Sequence, residues 1–248
     1  ALRLSEKGYK VLVIEKGKWL KAKDFPTTNW KIKKWLWLPL LKCFGLFKMT
    51  FFRHVTVLSG VGVGGGSLVY ANTLPVPTKS FFEADSWKHL GNWEEELSPH
   101  YKTALTMLGA TPSPRKEHRD QALQQLAKDI GKEDSYEAPN VAVFFGEPGK
   151  KVPDPYFEGK GPDRVGCTFC GGCMLGCRFN AKNTLDKNYL YFAQQNGAEI
   201  KAESEVVDVR EYLADGIHGY SVDWKSSTRY FGESGTFHAK GVIFAGGV

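Results

Sequence analysis

The feature that most restricts this chain is a short one: Leu2–Lys7 in helical spacing, then Gly8, then the run Val11-Leu-Val-Ile-Glu15. Lys7 falls in the last turn, where a cation suits the carbonyl end, and Gly8 stands where a left-handed cap closes a helix. An apolar run without alternation is the pattern of a parallel strand buried on both faces. Helix, glycine, buried strand and terminal acid together form the second half of a βαβ unit that binds a dinucleotide. In such a unit the acid at the strand end hydrogen-bonds the ribose of adenosine, which makes Glu15 the first candidate cofactor-binding residue. A carboxylate there favours the unphosphorylated ribose of FAD or NAD and repels the 2′-phosphate of NADP. The bland alternative for Glu15 is a charged strand end facing water. The first strand and glycine turn of the unit are expected upstream of Ala1.

A second signal is Gly60-Val-Gly-Val-Gly-Gly-Gly-Ser67, with five glycines in seven positions. Such a stretch adopts positive φ freely and lets backbone N–H groups approach an anionic or flat ligand without a Cβ in the way. No Lys follows the last glycine, so it is not a Walker loop. The competing reading is a flexible hinge. Hinges are polar, however, whereas Val57-Leu58 and Leu68-Val69-Tyr70 flank this stretch with apolar residues.

Cys167, Cys170, Cys173 and Cys177 repeat the spacing of a bacterial ferredoxin run. Thiolates at these intervals in a glycine-rich loop are candidate ligands of a 4Fe-4S cluster, with Cys43 as a remote alternative to the fourth. Arg178 stands where ferredoxins carry Pro. Buried free thiols and a labile disulfide are the competing readings, and we favour structural thiols. Four of the five cysteines lie within eleven residues, which is unlike a secreted disulfide framework and implies a reducing, cytoplasmic compartment.

The net charge of +6 is unevenly spread. From Lys18 to Arg53 nine basic residues face one acid, Asp24, a local surplus of +8, and Trp19, Trp30, Trp35 and Trp37 share the stretch. Its apolar core is too short to span a bilayer and is broken by Pro39 and Lys42. The expectation is a half-buried lid over a substrate entrance, apolar side chains inward and lysines outward. Peripheral contact with an anionic membrane is the alternative use of the same residues. No helix-turn-helix, zinc-finger or RNA-binding signature accompanies the charge, so nucleic acid is not an expected partner.

Elsewhere the pattern alternates between helix and strand. Ser98 with Pro99 reads as a helix start, followed by an apolar stripe that ends before Gly109. A second helix carries Leu123, Leu126 and Ile130 before Gly131. The span 138–164 reads as irregular. A third helix follows the cysteines, with Asn180 as cap. Three strands come next, Glu205–Arg210, Ile217–Trp224 and Thr236–Ala239, and then an apolar return run, Gly241–Ala245. The implied fold class is α/β: a two-dinucleotide-binding, Rossmann-like FAD domain with a β-meander, interrupted by helical and irregular segments of a substrate domain. The expected division is 1–80 and 166–248 for the FAD domain and 81–165 for the insertion.

Gly60–Ser67, Trp93–Gly109 and Cys167–Leu190, the last containing Ala181-Lys-Asn-Thr-Leu-Asp-Lys-Asn-Tyr-Leu190, resemble the glucose-methanol-choline (GMC) oxidoreductases, in their cholesterol oxidase-like branch. The resemblance implies FAD as cofactor and a small-molecule alcohol substrate, sterol-like or otherwise apolar, oxidised to a carbonyl. It leaves the electron acceptor unassigned. By position, Glu15 matches the ribose-binding acid, and Gly64, Gly65, Gly66 and Ser67 match the glycine loop. Val206 matches the position whose backbone reaches adenine, and Ala245 and Gly246 match the strand end beside the cofactor. Val61 stands where the family often has Arg, and Tyr70 where it has Asn; Asn72 is the nearest amide. The family's catalytic His and its partner lie C-terminal to this stretch, and none of the six histidines here matches their context, so no catalytic residue is expected. The rival reading is an iron–sulfur or thiol electron-transfer or redox-sensing module built on the cysteines, without alcohol oxidation.

Overall fold

The computed structural model describes residues 1–214 and 217–246, so the last two residues of the expected segment 166–248 lie outside the described residues. The chain divides into two compact units. The first holds Ala1–Tyr70, Gly171–Arg178 and the described residues from Leu185 onward; the second holds Ala71–Cys170 and Phe179–Thr184.

In the first unit, helix α1 (Leu2–Ser5) ends as its sequence dictates. Gly8 adopts φ +81°, and the Tyr9 N–H returns to the Leu4 carbonyl at 3.1 Å. Strand β1 (Leu12–Ile14) follows. Next come two antiparallel hairpins, β2 (Trp37–Leu38) with β3 (Cys43–Phe44), and β4 (Phe47–Phe51) with β5 (Thr56–Gly60). Leu46, Phe47, Leu68 and Val69 close around Phe25 as the apolar core of this unit, with Leu20, Trp35 and Leu175 packed against it. Burying side chains of this size contributes roughly 1.5–3 kcal/mol each, which fixes the bases of both hairpins.

Later in the chain, helix α4 (Tyr189–Gln195) packs on α1, and β6 (Glu199–Lys201) pairs in parallel with β1, Val13 opposite Ile200. The antiparallel meander β7 (Ser204–Ala214), β8 (Ile217–Ser226) and β9 (Ser234–Ala239) completes the unit. Trp224 of β8 stacks on Phe237 of β9 at 5.8 Å, and the Lys201 ammonium lies 3.9 Å from the Trp224 ring centre, tying β6 to the meander.

The second unit contains helices α2 (Trp93–Met107) and α3 (His118–Asp129), closed by Gly109 and Gly131, both at positive φ. Its interior is polar. Arg164 is fully buried and donates from Nε to Asn183 Oδ1 at 3.0 Å, while Asn183 Nδ2 donates to the Leu108 carbonyl at 3.0 Å. A buried guanidinium needs such partners, because its desolvation is otherwise uncompensated.

The mixed α/β character and the meander are as expected, but four details differ. Strand β1 is half-buried rather than buried, since β6 is its sole partner among the described residues. Helix α2 begins at Trp93, not after Ser98: Asn92 accepts from the Glu95 N–H, and Glu94, Glu95 and Glu96 suit the positive helix end. Pro99 therefore sits inside the helix. Helix α4 begins at Tyr189, because the Asn188 side chain takes the Tyr189 N–H at 2.7 Å; Asn180 instead turns at φ +59°. Finally, Gly241–Ala245 forms no strand. No neighbouring strand offers it a ladder among the described residues, and Phe244 is 81% exposed. The described sheets are small, and their largest is the three-stranded meander.

Candidate functional site

The end of β1 runs directly into the glycine-rich turn of the first unit. Glu15 donates its N–H to the Lys201 carbonyl at 3.0 Å, and its own carbonyl accepts from the Ser204 N–H at 3.0 Å, so β1, β6 and β7 converge at this residue. Its side chain turns the other way. Glu15 Oε1 accepts from the Gly17 N–H at 2.7 Å and from the Gly62 N–H at 3.2 Å. Two backbone donors thus hold one carboxylate oxygen in place, and Oε2 has no partner among the described residues. Burial pushes the Glu15 carboxyl above its ordinary value, while the Gly17 and Gly62 amides and the Lys16 charge pull it back down.

The close approach of residues 15–18 to residues 61–63 explains Gly17. A Cβ on Gly17 would run into the Gly62 amide, backbone against backbone. The Val63 N–H meets the Lys18 carbonyl at 3.0 Å and the Val61 N–H meets the Leu46 carbonyl at 2.8 Å, so the start of the turn is pinned on both sides. Beyond it, Gly64 and Gly65 adopt φ +111° and +53°, which a residue with a Cβ reaches only under strain. Nothing lies within 4 Å of where a Cβ on Gly65 or Gly66 would project. The N–H groups of Gly64 and Gly66 have no acceptor among the described residues. The turn is closed by Ser67, whose hydroxyl donates to the Gly64 carbonyl at 2.6 Å and accepts from the Leu185 N–H at 2.9 Å.

This arrangement fits the cofactor expected from the sequence. An acceptor oxygen held ready by backbone donors suits a ribose hydroxyl, and open amides over bare glycines suit a phosphate or the edge of a flat ring. Val206 lies on β7 two residues beyond Ser204, opposite Trp224 and at a bulge, 38% exposed. Ala245 and Gly246 are exposed and outside any strand. Asn72 belongs to the second unit. It is buried at φ +59°, its carbonyl accepts from the Ala142 N–H, and its Oδ1 has no partner among the described residues.

The cysteines are not assembled. Cys167 and Cys170 fall in the second unit, Cys173 and Cys177 in the first, and Cys43 is buried in β3. None of the five forms a disulfide, and among the described residues no group of three or more His, Cys, Asp or Glu side chains is arranged to hold a metal ion. The spacing is right for a 4Fe-4S cluster, but the run crosses a boundary between units, so the cluster reading is not carried further. Burial, with a smaller contribution from Cys173, pushes the Tyr70 hydroxyl up to about 12.

Sequence reasoning missed Ser67 as the clasp between the turn and Leu185, and missed Asp186 and Asn188 beside it. Asp186 Oδ1 and Asn188 Nδ2 are buried without a partner among the described residues. The only signal was their place in Ala181–Leu190.

No protein-family model matches the chain. It is, however, 46% identical to a protein named cholesterol oxidase from Acinetobacter baumannii, over 99% of this chain and 45% of that relative. The chain is similar to a cholesterol oxidase along nearly all of its own length. Proteins of the same name from two strains of Mycobacterium tuberculosis are 48% identical over 81% of this chain and 36% of theirs. The chain thus spans less than half the length of these curated relatives. The matches bear out the resemblance carried by the glycine turn and by Cys167–Leu190, and they lend no support to a separate iron–sulfur module.

Proposed function

We propose that this chain carries part of the FAD site of an oxidoreductase that oxidises a sterol-like or other apolar alcohol to a carbonyl. The observation that carries the reading is Glu15. One oxygen is fixed by the Gly17 and Gly62 amides, the other is open, and the glycine turn lies directly beside it. FAD, when bound, supplies the hydride acceptor for the carbinol carbon. The residues of this chain bind and orient. Glu15 accepts from the adenosine ribose, Gly64 and Gly66 donate their amides, and the bare Gly65–Gly66 surface admits the ligand. Ser67 keeps the turn from opening. The Val206 backbone reaches adenine, and Ala245 and Gly246 pass beside the cofactor. Asn72, in the second unit, is the further amide that the resemblance implies for the cofactor. The resemblance assigns the base for the hydroxyl proton to none of these residues and leaves the electron acceptor unassigned.

The names of the relatives make cholesterol the first alcohol to try. In the full-length protein we expect bound flavin whose visible absorbance bleaches when cholesterol is added without oxygen. A flavin-free protein, or a flavin that neither cholesterol nor simpler apolar alcohols bleach, contradicts the proposal.

A further inference from the structure

Helix α3 of the second unit leaves its large apolar residues exposed. Its partly buried positions are Asp120, Gln124 and Ala127, spaced four and three apart on one stripe, and the Tyr136 hydroxyl donates to the Asp120 carbonyl at 3.2 Å. Leu123, Leu126 and Ile130 recur at the helical spacing of three and four on an adjacent stripe, 57%, 53% and 61% exposed.

Local contacts set where this helix begins and ends. The Glu117 N–H donates to Asp120 Oδ2 at 2.8 Å in a capping box, Gln125 Nε2 donates to Asp129 Oδ1 at 2.8 Å, and Lys128 pairs with Glu133 at 3.2 Å. A helix of 12 residues is marginal in water on such contacts alone, because most helical stability comes from packing an apolar face. In α3 the side chains turned inward are an acid, an amide and a single methyl. The stripe Leu123, Leu126 and Ile130 is the face left to supply that packing.

Three observations select what covers the stripe. The charges on the helix balance, Arg119 and Lys128 against Asp120 and Asp129, so it complements neither an anionic nor a cationic partner. Three side chains exposed to this degree offer on the order of a few hundred Å², short of the roughly 800 Å² that each copy contributes to a standard dimer. The relative that matches 99% of this chain has more than half of its own length outside the match.

We propose that Leu123, Leu126 and Ile130 form an internal docking face, covered in the full-length protein by an apolar surface of the part outside residues 1–248. Burying these three side chains supplies the apolar packing that the inner stripe of α3 lacks. The helix then joins the second unit to the remainder of the same chain.

The proposal does not rest on flavin binding or on alcohol oxidation, because it is read from folding. A photo-reactive benzoylphenylalanine in place of Leu126 in the full-length protein is expected to crosslink, within one chain, to a peptide outside residues 1–248. Hydrogen exchange gives a second reading. Leu123→Ala and Leu126→Ala are each expected to speed exchange of the α3 amides by about 30-fold or more, the weight of a buried leucine. Gln121→Ala, on the exposed polar side, should change it by about two-fold at most. A crosslink confined to residues 1–248 overturns the proposal, and so do leucine variants that change exchange no more than Gln121→Ala. A crosslink between two chains also overturns it, since the stripe would then be a contact between protein copies.

Discussion

The glycine turn Gly60–Ser67 and the cysteine run Cys167–Cys177 are both glycine-rich loops with a sequence spacing that suggests a ligand. The structure treats them differently. The glycine turn lies within one unit, pinned by Lys18, Leu46 and Glu15 on one side and by Ser67 to Leu185 on the other. The cysteine run passes from one unit into the other, and its thiols form no metal-ligand group among the described residues. Spacing along the chain brings donors together only where neighbouring backbone fixes each of them. The turn has that frame.

The contrast can be broken most forcefully at Gly17. Gly17→Ala places a methyl against the Gly62 backbone, which cannot swing aside as a flexible side chain would. The expected cost is about 3 kcal/mol or more of stability, with loss of flavin retention, read by denaturant unfolding of the full-length protein. Near-wild-type stability would mean that the two segments are not in contact.

A smaller effect is expected at the clasp. Ser67→Ala removes the acceptor of the Leu185 N–H and the donor to the Gly64 carbonyl, costing about 1–3 kcal/mol. Flavin affinity should fall with it, whereas Ser67→Thr should keep most of both.

The pH dependence is weaker but has a definite sign. Burial raises the folded-state value for Glu15, so the folded protein holds a proton that the unfolded chain has released. Its contribution to stability is full below the ordinary value of 4.5 and is lost as pH rises through the raised value. In flavin-free full-length protein, Glu15→Gln should remove that decline from a series of unfolding midpoints. A decline of the same size in the variant would assign it to other groups.

The smallest effect is expected at the other loop. Replacing Cys167, Cys170, Cys173 and Cys177 with Ser should leave flavin content unchanged, and anaerobically purified wild-type protein should lack iron and acid-labile sulfide. Near-stoichiometric iron and sulfide per flavin would restore the cysteine run to equal standing with the turn.

Local signals were legible in the sequence wherever local physics decides. Gly8, Gly109 and Gly131 close helices, and the three meander strands form where they are expected, although β7 extends to Ala214. What was not legible depends on partners far along the chain. Gly241–Ala245 reads as a buried strand, yet among the described residues no neighbour pairs with it. The helix after the cysteines starts at Tyr189, where the Asn188 side chain takes the first N–H, and the segment before it is tied by the Leu185 N–H to Ser67, far upstream in the sequence. Arg164 sits in a stretch that reads as irregular connection, yet it is fully buried, with Asn183 accepting from its Nε and the Tyr156 ring beside it. At the site itself, Glu15 and the glycines were visible as types and spacings. The bond from the Gly62 N–H to Glu15 was not, because it joins residues 47 positions apart.

The central claim is that Glu15, held by Gly17 and Gly62, receives the cofactor's ribose, and its most direct test is the FAD affinity of the full-length Glu15→Ala protein. Charge-assisted hydrogen bonds of this kind contribute about 1.5–3 kcal/mol each, so the account predicts a loss of affinity of roughly ten-fold or more. The folded structure should persist, as judged by the unfolding midpoint. A correctly folded Glu15→Ala protein that binds FAD as tightly as the parent would contradict the account.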